Sequence, residues 1–143
     1  MKGTFDVKKW TYGTLAVFVF ISLFEYAVRH WILAPMHPEV SSAAPENLML
    51  LRIAVYLARL IFSAIFAFIY TKGYEGKSGI GEGLRFGLWI GLLVYLPGFL
   101  TNIVGGISPA DLLIVRTLLS LVESVLSGII FALVYRPAAL SRA

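Results

Sequence analysis

The chain has 143 residues, 59% of them apolar and only 14% charged, with a net charge of +4 and no cysteine. About a quarter of a soluble domain is usually charged, so this composition leaves too little polar surface to clothe a water-soluble globule and places the apolar surplus against lipid. The missing cysteines exclude disulfides, thiolate metal sites, iron–sulfur clusters and thioether-bound haem. In a membrane protein the basic excess reads as the Lys/Arg bias of cytoplasmic flanks rather than as a nucleic-acid surface, and no nucleic-acid partner is expected.

Crossing a hydrocarbon core of about 30 Å takes about 20 helical residues, and four segments reach that length. The first is expected over about 10–33. It follows Lys8 and Lys9, is too long for a signal peptide, and has no small-x-small cleavage site after it. Pro35, Pro38 and Pro45, with Ser41 and Ser42, form the first loop, and Asn47 is placed to cap the second helix, expected over 48–70. Gly73, Gly76, Gly79 and Gly81 mark the second loop, which lacks the Gly-Lys-Ser/Thr ending of a phosphate loop. The third helix is expected over 84–104, kinked in its second half by Pro97-Gly98. Gly105 and Gly106 end it, and Ser108-Pro109 with Asp111 starts the fourth, over 112–135. The runs are long and continuously apolar, unlike the ten-residue alternating strands of a membrane barrel. The fold class is therefore all-α: a single transmembrane four-helix bundle spanning 1–143.

Orientation follows from the flanks. Lys2, Lys8 and Lys9, then Lys72, Lys77 and Arg85, then Arg136 and Arg142 fall at one end, while the first and third loops hold no Lys or Arg. Both termini are expected in the cytoplasm, with Trp10, Trp31, Tyr70 and Tyr135 at the two interfaces.

The ionisable residues inside the spans carry the most information, because each costs on the order of 3 kcal/mol at mid-bilayer and therefore turns inward or pairs. Arg59 and Glu123 are central in the second and fourth spans, which run in the same direction, so a buried Arg59–Glu123 pair is expected. Arg52 and Arg116 lie seven residues before them, on the same helix faces, and Ser63 and Ser127 continue those faces. Glu25 and Arg29, four apart on the first helix, complete a layer of Glu25, Arg29, Arg52, Arg59, Arg116 and Glu123 with two positive charges in excess. One reading is a structural polar lock. The other is a site for an anion or an anionic lipid head group. The segments Ile65–Tyr70 and Ile130–Tyr135 are also alike, hinting at a duplication of one helix pair.

Gly79, Gly83, Gly87 and Gly91 recur every four residues, a small-xxx-small stripe for close helix contact, either within the chain or with a partner. No catalytic set, metal-ligand spacing or cofactor motif occurs. His30 lies near the end of a span. His37, with Glu39 and Glu46, lies in the first loop, where solvent exposure is the simpler explanation.

Two segments, Ile21-Ser22-Leu23-Phe24-Glu25-Tyr26 and Glu82-Gly83-Leu84-Arg85-Phe86-Gly87-Leu88-Trp89-Ile90-Gly91, resemble a loose group of small, uncharacterised bacterial four-helix membrane proteins. The resemblance implies a four-helix bundle in a bacterial inner membrane and no activity. Arg59 and Arg116 lie outside it. The functional expectation is a non-catalytic membrane subunit, in contact with lipid, packing into a larger complex or a homo-oligomer. The alternative is a small transporter or channel using the charged layer, and a lipid-modifying enzyme comes last.

Overall fold

The computed structural model describes residues 6–38, 47–73 and 79–135, all but a few of them helical. Four helices are long and apolar enough to span a membrane. Helix α1 (Val7–Val28) starts at Asp6, whose carboxylate accepts a 3.2 Å hydrogen bond from the Lys9 amide. It continues through a π turn (Arg29–Leu33) into one last helical turn (Ala34–Met36). Helices α2 (Leu48–Gly73), α3 (Gly79–Gly105) and α4 (Ala110–Val134) follow.

The elements run longer than the sequence suggests, most at the start of α3, where Gly79 and Gly81, expected in the second loop, are helical, and next past Pro35, which was expected in the first loop. Proline has no N–H to donate and obstructs a regular turn. The wider π turn accommodates it: the Ala34 amide reaches back five residues to the Arg29 carbonyl, and the His37 amide bonds to Leu33 at 3.2 Å. At the start of α4 the cap position is Pro109, without a side-chain hydrogen bond, and Asp111 lies in the first turn as expected. Helix α3 stays continuous through Pro97, where Thr101 and Asn102 donate to the carbonyls of Pro97 and Gly98. It ends at Gly106, whose φ of +61° lets the Ile107 amide turn back to the Asn102 carbonyl.

Neighbouring helices are antiparallel. Gly13 of α1 lies against the Phe131 ring of α4, while His37, beyond α1, meets Asp111 at the other end of α4. The most extensive interface joins α3 to α4, and α1 bridges α2 and α4. The tight part of the bundle is the end where α1 and α3 begin and α2 and α4 finish, here the terminal end. There Val17 and Ile21, Phe66, Ala67 and Tyr70, and Phe131 and Ala132 form one buried cluster, flanked by Phe86 of α3. Tyr70 packs edge-on against Phe86 and Phe131 with ring centroids 5.0 Å apart, and Phe66 lies 4.9 Å from Phe86. Tyr70, expected at an interface, is thus a core residue. Its likeness to Tyr135 has a structural counterpart: the two similar segments meet here, Tyr135 stacking on Phe131 and standing 6.4 Å from Tyr70.

The glycine stripe explains the α3–α4 interface. Side chains at Gly83 and Gly87 would run into the backbone carbonyls of Gly128 and Ser124, and one at Gly91 would come within 3.0 Å of the Ser124 Cβ. Gly79 is also buried. Ser124 Oγ donates to the Gly87 carbonyl at 2.8 Å, so backbone contact is reinforced by a hydrogen bond between helices. The stripe therefore serves packing within the chain. Ser124, Gly128 and Ala132 complete it from α4, at the same four-residue period in the sequence as the glycines they face.

Candidate functional site

Toward the opposite end, where the first and third loops lie, the helices separate. Every residue of α2 from Leu48 to Ala58 is exposed, and most of α3 beyond Gly91 is exposed as well. Between α1, α2 and α4 this leaves a cavity of about 400 Å³. Its polar lining consists of Glu25, Arg29 and His37 from α1 and its extension, Arg59 from α2, and Arg116, Ser120 and Glu123 from α4.

Helical spacing places these side chains. Arg116, Ser120 and Glu123 are four and three residues apart on α4, so they share a face. On the first helix Glu25, Arg29 and Leu33 follow at four-residue steps, and the π turn widens the helix in the middle of that row. Single π turns concentrate at functional sites, and this one begins at a charged residue of the cavity.

Five of the six residues in the expected charged layer meet here. Arg52 does not. It lies in a separate shallow groove with Phe18, Met49 and Tyr56. Seven residues return a side chain to the same face of its own helix, but α2 has only α1 as an extensive neighbour. Two turns beyond Arg59, that face no longer looks into a space enclosed by α4.

The pairing also differs from expectation. Arg59 donates from Nη2 to Oε2 of Glu25, not to Glu123, and its guanidinium stands 5.3 Å from the centre of the Tyr56 ring. Equal depth was the sequence argument for Arg59 and Glu123. The deciding factor is lateral distance: α1 packs directly on α2, whereas the cavity separates α2 from α4. Glu123 is only 4% exposed. Among the described residues it makes no hydrogen bond or ion pair, and neither do the Arg29 and Arg116 side chains. Arg59 Nε is likewise buried without a partner. With both glutamates ionised, three arginines face two carboxylates, a net charge of +1; Arg29 and Arg116 are exposed at the cavity, Arg59 and Glu25 half-buried, and Glu123 buried. Tyr95 of α3 is half-buried within electrostatic reach of Glu25, Arg116 and Glu123.

His37 was expected in an exposed loop. It instead lines this cavity at the loop end: its Nε2 and the Asp111 Oδ2 share a 3.1 Å hydrogen bond between the extension of α1 and the first turn of α4. Glu39 and Glu46 lie outside the described residues. His30 points away and stacks on Tyr26 at 5.9 Å. Among the described residues no group of three His, Asp or Glu side chains is placed to hold a metal ion.

The chain matches no family model, no curated protein and no solved structure. The site's own chemistry is therefore the basis of the functional reading. Guanidinium groups without carboxylate partners, lining one cavity, are donors suited to a phosphate or carboxylate group.

Proposed function

We propose that this protein is a small integral membrane binding protein, of transporter type, whose charged cavity receives an anionic group. The observation that carries this reading is the pair Arg29 and Arg116, which face a common cavity without a carboxylate partner while Arg59 is engaged by Glu25. A purely structural lock would match each charge of the layer with its opposite, since an unpaired charge inside the membrane is costly. Reading the chain as an accessory subunit rests mainly on the glycine stripe, and Ser124 and Gly128 of the same chain already occupy that stripe.

The proposed topology places both termini in the cytoplasm, because Lys8, Lys9, Lys72 and Arg85 cluster at the terminal end and 35–46 and 105–110 carry no Lys or Arg. The cavity then lies in the outer half of the membrane. A bacterial inner membrane is the compartment that the sequence resemblance implies. Cysteine labelling tests the topology: Ser41→Cys should react from outside and Ser141→Cys only after permeabilisation, and the reverse pattern overturns it.

Binding is tested by thermal unfolding of the purified protein in neutral detergent, with inorganic phosphate, glycerol phosphate or an anionic phospholipid added. At least one probe should raise the unfolding temperature in a saturable way, and the Arg29→Gln/Arg116→Gln variant should lose that response. If no anion stabilises the parent protein, the cavity is not an anion site.

A further inference from the structure

We propose that the ligand of this cavity is a phosphate-bearing amphiphile that enters sideways from the lipid, its charged head on Arg29 and Arg116 and its hydrocarbon part leaving between α2 and α4. The inference rests on the anion-binding reading above and adds the substrate class and the route of entry.

Three observations carry it. First, the lining is divided. Beside the charged groups, Phe24, Val28, Leu33, Val55, Leu112 and Leu119 form an apolar wall. A hydrated inorganic anion gains nothing from such a wall, whereas an amphiphile uses both parts of it. Second, the side is open. No α3 residue lines the cavity, and α2 makes no extensive contact with α4. Val55, at the α2 edge of the cavity, belongs to the stretch of α2 that is exposed on every face. In a bilayer those faces meet lipid, so the gap joins the cavity to the hydrocarbon. Third, the terminal end is plugged by Phe66, Tyr70, Phe86 and Phe131, and at the loop end an exposed hydrogen bond between His37 and Asp111 ties the extension of α1 to α4, so the gap between α2 and α4 is the side of the cavity that no extensive contact spans.

Phosphate suits the charged part better than a single carboxylate. Its several oxygens can accept from two guanidinium groups arriving from different helices, α1 and α4. Glu123, buried on the same wall and without a hydrogen bond, gives the site a second polar contact for a hydroxyl or ammonium group of the head.

The test compares three probes on the full-length protein in neutral detergent: dioleoylphosphatidic acid, dioleoylglycerol, and glycerol phosphate. The two parts of the site predict that phosphatidic acid stabilises the protein at concentrations at least tenfold lower than either of the others. Arg29→Gln/Arg116→Gln should weaken phosphatidic acid at least tenfold and leave the dioleoylglycerol response unchanged. Leu119→Trp, which fills the apolar wall, should weaken phosphatidic acid while preserving the glycerol phosphate response. The three-probe comparison on the parent protein stands even if that variant fails to fold. Equal potency of glycerol phosphate and phosphatidic acid overturns the amphiphile and leaves a water-soluble anion site. Equal potency of dioleoylglycerol, insensitive to the arginine changes, overturns it in favour of general lipid solvation. No response to either phosphate compound defeats the binding reading itself.

Discussion

The two halves of this bundle are built from the same four helices by opposite means. At the terminal end glycine removes side chains so that α3 and α4 touch through their backbones, and aromatic rings fill what remains between α1, α2 and α4. At the loop end the helices separate, and the space holds arginine and glutamate rather than hydrocarbon. Within lipid, apolar side chains gain little by leaving the bilayer for a protein interior, so close packing and polar contacts decide where helices associate. One half uses packing and is shut. Among the described residues the other is held by one ion pair and a surface hydrogen bond, and remains open. The difference assigns stability to the first half and ligand binding to the second.

The strongest way to break this division is to put a side chain on the stripe. Gly87→Leu forces the α3 and α4 backbones apart, and should cost about 3 kcal/mol or more, the upper range of overpacking. Gly73→Leu, with nothing within 4 Å of the added Cβ, should be mild. Reversible unfolding in mixed micelles measures both. Equal stability of the two variants would mean that the stripe faces lipid.

A smaller effect is expected from the ion pair. In a double-mutant cycle, Arg59→Met with Glu25→Leu should show a coupling of about 1–2 kcal/mol, and Arg59→Met with Glu123→Leu a distinctly smaller one, given the modest size of polar couplings inside membranes. If the larger coupling belongs to Glu123, α2 and α4 close on each other and the cavity does not persist.

Ser124→Ala removes one hydrogen bond to the Gly87 carbonyl without changing the shape of the interface, and should cost about 1 kcal/mol. A neutral result would leave backbone contact alone as the source of α3–α4 affinity.

Least of all should change in the unliganded protein when Arg29 and Arg116 become glutamine. Neither is engaged by a carboxylate, and stability should stay within about 0.5 kcal/mol of the parent. A large loss there would turn the open half into a structural lock.

Much of this architecture was legible in the residues. Length and hydropathy alone give four spans, because a bilayer imposes one dimension on any helix that crosses it. The four-residue glycine period gives the face of α3 that packs, since helical periodicity is a local property. Five of the six charged residues that the sequence singled out do line one cavity. What the sequence left open depended on distances between helices. Depth along the membrane is counted in residues, which is why the sequence puts Arg59 and Glu123 at one level. Whether α2 stands against α1 or against α4 is set by how all four helices pack. That packing gave Arg59 to Glu25, moved Arg52 out to a shallow groove, and buried Tyr70. The same packing brought His37, from a proline-rich segment with no periodic signal, onto Asp111. Local order along each helix follows from its own residues. The partner of a charged side chain is fixed only when the lateral arrangement of the bundle decides which oppositely charged group lies within reach.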